Sequence, residues 1–175
     1  MAEAATETQS AEHAFNAGDF RSALGSFATG ITVITTRGED HLFGMTANAF
    51  SSVSLDPPLV LVCVITGTTG AEAIEGNGIF AVNVLGSNQE PVSRYFASKD
   101  RPRGLDAFSE IPHTTAATGS PILEGAAGFL DCRLHGTHEA GDHVIFIGEV
   151  LALGFDPEVD PILFHSGRYR VAVDA

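Results

Sequence analysis

The passage from Gly44 to Val62 constrains this chain most: a ten-residue ribbon without charge, Met45 to Ser54, runs into Pro57-Pro58 and then an apolar run. The ribbon is built of small residues, hydroxyls and one amide, so its backbone N–H and C=O groups stay accessible beside short donors. Such a surface suits a flat ring with polar edges better than a metal or a protein nucleophile. The two prolines end the ribbon, because neither can donate to a β-ladder. Leu59 to Val64 then reads as a strand buried on both faces. The expected picture is a ligand-facing rim joined to a rigid central strand.

The rest of the chain reads as short strands with few helices. Asp19 to Phe27 is expected as a helix capped by Asp19, with Phe20, Leu24 and Phe27 on one face. Ile31 to Thr36 and His41 to Thr46 form a hairpin across Gly38-Glu39-Asp40. Thr66-Gly67-Thr68-Thr69-Gly70 precedes a helix-like segment, Ala71 to Ile74, and makes an anion nest of free N–H groups. Gly78 to Leu85 is a buried strand, and Gln89 to Ala97 a helix with Val92 and Phe96 inward. Residues 98–121 show little periodicity and read as the least ordered part, a lid over a ligand. Gly128 to Leu134 and His143 to Leu153 pair across residues 139–142, and Ile162 to Phe164 leads through Gly167 to Tyr169. With no alternating βα pattern, the expectation is one mainly β domain of closed antiparallel architecture, residues 18–175, behind a disordered tail, residues 1–17.

Charge narrows the partners. A net charge of −13 argues against nucleic acid and anionic membranes. It makes an anionic ligand awkward unless positive charge is gathered locally, and Arg94, Lys99, Arg101 and Arg103 are four of the nine basic residues. No apolar run reaches the ~18 residues of a membrane span. The N-terminus lacks the basic start and apolar segment of a secretory signal. Cys63 and Cys132, both in apolar runs, read as buried free thiols of a cytoplasmic protein.

Five segments in register resemble the flavin reductase-like family, the small NAD(P)H:flavin oxidoreductases that supply reduced flavin to two-component monooxygenases. They are the central ribbon, Phe27 to Thr35, Phe80 to Leu85, Gly141-Asp142-His143 with Ile147 to Val150, and Leu163 to Tyr169. The resemblance covers about residues 20–172 and implies an FMN-binding split β-barrel of Greek-key type, a homodimer with flavin near the subunit interface. It implies FMN or FAD as flavin, NADH or NADPH as reductant, and a flavin-dependent monooxygenase as partner.

The resemblance also distributes roles. Thr46, Ala47, Asn48, Ala49 and Phe50 match ring-edge contacts, and Ser52 and Val53 match positions beside the ring and ribityl chain. Gly67, Thr68 and Thr69 match the phosphate end, with Lys99, Arg101 or Arg103 supplying charge; the family's usual lysine has no clean counterpart. His143 matches the nicotinamide side, with Phe164, His165 and Tyr169 as further candidates. Hydride transfer from nicotinamide C4 to flavin N5 asks little of side chains. The cofactor carries the electronics, the protein holds both rings in place, and backbone N–H groups offset charge developing on the reduced ring. Apart from His143, no catalytic side chain is therefore expected.

Three alternatives share parts of this reading. A non-enzymatic flavin-binding electron carrier could use the same barrel, although Gly141-Asp142-His143 favours an enzyme. A pyridoxamine-phosphate-type oxidase would need a more basic phosphate site. A metal site at His135, His138 and His143 is not expected, because His135 and His138 would point to opposite faces of a regular strand.

Overall fold

The computed structural model describes residues 14–172. Residues 1–13 of the expected tail and 173–175 lie outside the described residues. The first helix, α1 (Ala17–Gly25), starts two residues earlier than the sequence suggests. Its cap is Asn16, whose side chain accepts from Gly18 N at 2.8 Å and Asp19 N at 3.0 Å. Asp19 is the third residue of a capping box rather than the cap. No residue of α1 is buried, and Phe20, Leu24 and Phe27 stand exposed.

There follow β1 (Thr29–Gly30), β2 (Thr32–Arg37), β3 (Leu42–Ala47), β4 (Phe50–Leu55), β5 (Pro58–Ile65), α2 (Thr69–Asn77), β6 (Ile79–Val84) and α3 (Glu90–Ala97). A 3₁₀ turn (Gly104–Phe108) leads to β7 (His113–Thr115), β8 (Pro121–Leu123), β9 (Gly128–Ala140), β10 (His143–Phe155), β11 (Ile162–His165) and β12 (Arg168–Val171). Seven strands form one antiparallel sheet in the order β3-β2-β6-β9-β10-β5-β4. Its two edge strands, β3 and β4, are joined only by Asn48 and Ala49. Three residue steps span at most about 11 Å, whereas the edges of a flat seven-stranded sheet would stand about 28 Å apart. The sheet must therefore curl until its edges face each other. Among the described residues β3 and β4 share no ladder, so the barrel is split along this seam instead of closed by hydrogen bonds.

The curl makes two cores. Ile34, Val60, Val62, Val64, Phe80, Val82 and Phe146 fill the inside with Ala71 and Ile74 of α2. Ile31, Val33, Leu85, Phe96, Phe108, Leu123 and Ile162 pack outside β2 and β6. Burial on both faces thus belongs to β2 and β6. In β5, against expectation, Val60, Val62 and Val64 are buried while Leu59, Leu61 and Cys63 are half-exposed.

Residues 98–121 are not a free lid. Phe108 is buried, β7 pairs with β8, and buried Asn83 pins the far end to the sheet. Asn83 Nδ2 donates to Val33 O at 3.1 Å, Thr35 Oγ1 at 3.2 Å and Pro121 O at 3.3 Å, while Leu123 N donates to Asn83 Oδ1 at 2.8 Å. Buried Asp131 accepts from Thr118 N at 2.7 Å and from the Thr118 hydroxyl.

The β9–β10 pair is longer than expected, and its turn is reduced to Gly141-Asp142, with Gly141 at φ 64°. Register shifts between Ile147 and Gly148, whose partners are Gly136 and Leu134, so His135 sits in a bulge. Strict alternation between His135 and His138 therefore fails as an argument. Among the described residues, no group of three or more His, Cys, Asp or Glu is arranged to hold a metal.

Candidate functional site

The seam holds a cleft of about 700 Å³. One wall is β3, an edge strand whose outward main-chain groups have no strand partner. Asn48-Ala49, the end of β5, the start of α2 and the 98–104 segment complete it. Thr46, Ala47, Asn48, Ala49, Gly67, Thr68, Thr69, Lys99, Arg101, Arg103 and His143 all line this one cavity.

At the phosphate-type end, the Thr68 hydroxyl donates to Ile65 O at 2.8 Å and accepts from Ala71 N at 3.4 Å. Thr68 thus caps α2 at its third residue, and the first N–H groups of the helix, on Thr69 and Gly70, have no intrahelical acceptor. Both residues line the cleft, so the positive end of the helix faces it.

The basic residues divide by role. Arg101 donates through Nη1 to Ser98 O at 2.6 Å and through Nη2 to Gly44 O on the seam edge of β3. Its guanidinium lies 5.7 Å from the Phe96 ring centre and 6.0 Å from that of Phe43. Burial pulls its pKa down, and its Nε is buried with no partner among the described residues. Arg101 is therefore a clamp between the loop and the sheet. Lys99 and Arg103 are exposed, and among the described residues neither forms an ion pair. Arg94 is off the cleft, bound to Glu90 at 2.7 Å and stacked 4.6 Å over Tyr169.

The Thr46 hydroxyl donates to Ser93 O at 2.6 Å, so toward the cleft it can only accept. Asn48 makes one long contact, 3.5 Å to Thr29 Oγ1. His143 Nδ1 lies 2.7 Å from Asp142 Oδ1. The hydrogen bond to the imidazole, reinforced by its charge, holds the Asp142 carboxyl below its usual 3.8. The neutral imidazole, donating Nδ1–H to the carboxylate, presents Nε2 as an acceptor, whereas the protonated ring presents Nε2–H as a donor. Asp142 also anchors the turn, since its carbonyl accepts from Thr66 N at 3.0 Å.

Other candidates lie off the cleft. Phe50 packs half-buried against the inner core, and Ser52 and Val53 are exposed on β4. Phe164 and Tyr169 pack edge to face at 5.5 Å. The Tyr169 hydroxyl meets Ser93 Oγ at 3.0 Å, which places it behind the wall that Thr46 forms. His165 Nε2 lies 3.4 Å from Ser166 Oγ.

Sequence reasoning put Met45 in the ligand-facing ribbon but missed the other apolar lining residues, Phe43, Cys63, Ile65 and Phe96. Carrying the β3 ribbon two residues upstream would have found Phe43. Alternation along β5 would have put Cys63 on the row of Ile65.

Comparison with known proteins identifies the family and the fold. The flavin reductase like domain family matches residues 24–172. The chain is 42% identical to an NADH-dependent FAD reductase of Streptomyces globisporus, over 86% of this chain and 82% of that protein. It is 43% identical to the reductase subunit HsaB of a flavin-dependent monooxygenase from Mycobacterium tuberculosis, over 86% of this chain and 79% of the other. Its fold superposes on the NADH:FAD oxidoreductase SgcE6 of Streptomyces globisporus with a TM-score of 0.86 at 39% identity, covering 93% of this chain and 96% of that one.

Proposed function

The chain belongs to the flavin reductase like domain family, and from that premise we propose that it reduces a flavin with NADH and hands the reduced flavin to a partner monooxygenase. Its relatives' names support each part: one is an NADH-dependent FAD reductase, another the reductase subunit of a monooxygenase. The observation that carries the reading is the unpaired edge of β3, continued by uncharged Asn48-Ala49 and facing a cleft with a helix start at one end.

The residues present fit a flavin mononucleotide unit. Main-chain groups of Thr46 to Ala49 would hold the ring edge, with the Thr46 hydroxyl as acceptor. The N–H groups of Thr69 and Gly70 would take the phosphate, with Lys99 and Arg103 balancing its charge in an otherwise acidic protein. Arg101 keeps that loop on β3. Bound together, flavin and nicotinamide supply a hydride transfer from C4 to N5. The protein's share is to fix orientation and offer N–H dipoles that carry no titrating proton. His143 Nε2 would hold the nicotinamide side, oriented by Asp142.

The protein acts as a homodimer in the cytoplasm. Free Cys63 and Cys132 support a reducing compartment, and exposed Leu151, Leu153 and Phe155 on β10 support a second copy. No helix among the described residues is long and apolar enough to cross a membrane.

The deciding measurement follows NADH absorbance with FMN or FAD added. Turnover is expected. Flavin binding without turnover would make the protein an electron carrier, and oxygen uptake with an amine but not NADH would make it an oxidase.

A further inference from the structure

The two exposed cations of the cleft, Lys99 and Arg103, stand two residues before and two residues after Arg101. They ride on the strap between α3 and the 3₁₀ turn, which side-chain bonds hold in place. Asp100 N donates to Ser98 Oγ at 3.2 Å, and the Tyr95 hydroxyl donates to Ala107 O at 2.9 Å. Both of these bonds tie the strap to itself or to α3. The Arg101 fork, from Ser98 O to Gly44 O, ties it to the sheet. Gly44 makes that reach possible. A Cβ there would stand 2.5 Å from Phe96 Cε1 and 3.0 Å from Phe108 Cζ. With no side chain at position 44, these two buried rings, 5.2 Å apart, close over β3 and bring the strap to its seam edge.

A guanidinium grips a phosphate with two parallel N–H groups, either both Nη or Nε with one Nη. In Arg101 both Nη groups donate to carbonyls and Nε is buried, so neither fork is presented to a ligand. Its charge is spent on fixing backbone. Lys99 and Arg103 gain from that. An exposed cation on a loose turn loses most of its attraction to the ordering of its own chain. On a strap already fixed, that ordering is complete before an anion arrives. The benefit matters in a chain of net charge −13, whose field repels an anion elsewhere. It falls on the phosphate of a ligand and not on its ring, which Thr46 to Ala49 meet with uncharged groups.

Building on the flavin reductase reading, we propose that Arg101, seated on Gly44, is a positioning residue that makes the cleft select phosphorylated flavins over riboflavin, and that it acts through Lys99 and Arg103.

Kd for FMN and for riboflavin is measured by quenching of flavin fluorescence. The proteins are the wild type, Arg101→Met, Arg101→Lys, the pair Lys99→Ala with Arg103→Ala, and that pair with Arg101→Met added. The wild type binds FMN about tenfold or more tightly than riboflavin. Arg101→Met weakens FMN about tenfold and leaves riboflavin within about twofold. Arg101→Lys does the same, because an ammonium keeps the charge but not the fork; it carries the comparison if Arg101→Met does not fold. The pair has already lost the preference, so adding Arg101→Met to it changes FMN affinity by less than about twofold. Without ligand, amide exchange at residues 99–104 is faster in both single Arg101 variants and unchanged in the pair. Equal weakening of FMN and riboflavin would reduce Arg101 to a structural role. Full FMN affinity in Arg101→Lys, or an additive loss in the triple variant, would make it a phosphate ligand. Either result overturns the proposal, as does a wild type with no preference for FMN. A wild type that binds neither flavin would instead sink the reading of the cleft on which the proposal rests.

Discussion

His143 has one ring nitrogen committed to Asp142, and that commitment decides what the other can do. With Nδ1–H donated over 2.7 Å, Nε2 can accept from a ligand's N–H, the pairing expected of a nicotinamide carboxamide. One neutral hydrogen bond contributes about 1 kcal/mol, so His143→Ala should raise KM for NADH about fivefold with flavin affinity unchanged; unchanged kinetics would remove the residue from the site. Asp142 acts through position. Its lowered pKa means the pair is intact above 3.8 and is lost only as pH falls through the lowered value. Asp142→Asn, which keeps an acceptor, should hold KM near wild type, and Asp142→Ala should approach His143→Ala. Cys63 gives a test that needs no turnover. Desolvation raises its thiol above 9.0, while burial and the neighbouring Asp131 charge push Cys132 up to about 12. In native protein one thiol should react with iodoacetamide, at a rate still climbing above pH 9, and saturating FAD should block it. Reaction of both thiols, or no protection by FAD, would place the flavin elsewhere. The Gly-Asp-His turn was legible because three adjacent residues suffice to build it. The clamp role of Arg101 was not, because it rests on Gly44, far away in sequence and brought near by the packing of Phe96 and Phe108 over that glycine.

At the scale of elements, burial depends on what lies over a strand, and sequence periodicity reports only half of that. The inward row of β5 was legible as valines, but nothing local says that α3 and the 104–123 segment cover β2 and β6 and leave the outer row of β5 half-bare. The same ignorance made residues 98–121 look loose. Their attachment runs through Asn83, a lone amide inside an apolar strand, which replaces the missing periodicity with four hydrogen bonds. Asn83→Ala would leave the Leu123 N–H without its acceptor in a buried place, while the Thr35 hydroxyl and Pro121 O keep the 2.6 Å bond between them. One stranded buried donor costs about 1–3 kcal/mol, and a loss of that order is expected, read as a lower midpoint in urea. Amide exchange should accelerate at residues 121–123 before it does in β9 and β10. Because Lys99 and Arg103 ride on the same excursion, flavin affinity should fall as well. Full stability in this variant would mean that the segment is held by Phe108 and the apolar contacts alone.

For the whole molecule, the seam that makes the cleft also leaves the outer side of the barrel unfinished. Leu151, Leu153 and Phe155 on β10 are 45%, 62% and 78% exposed, and Leu55 on β4 is 94% exposed. Further along the same face, the outer row of β5, Leu59, Leu61, Cys63 and Ile65, runs beside Glu149, Ile147, Ile145 and His143 of β10, and its last two members line the cleft. An apolar surface of this kind, continuous with a ligand site, is what a two-fold dimer covers, and each changed residue then appears twice in the interface. Leu153→Glu combined with Phe155→Glu would place four carboxylates in the interface of the proposed dimer. A hundredfold or larger weakening, about 3 kcal/mol, is the expected order. Sedimentation should show a dimer for the wild type and a monomer for the variant, with circular dichroism unchanged. Since the outer row of β5 leads from the patch to the cleft, a partner that covers Leu59 and Leu61 also shelters the lip at Ile65. Flavin affinity should therefore fall several-fold when the dimer is broken, although neither substituted residue lines the cleft. A wild type that sediments as a monomer would refute the dimer, and a monomeric variant with undiminished flavin affinity would confine the site to one chain.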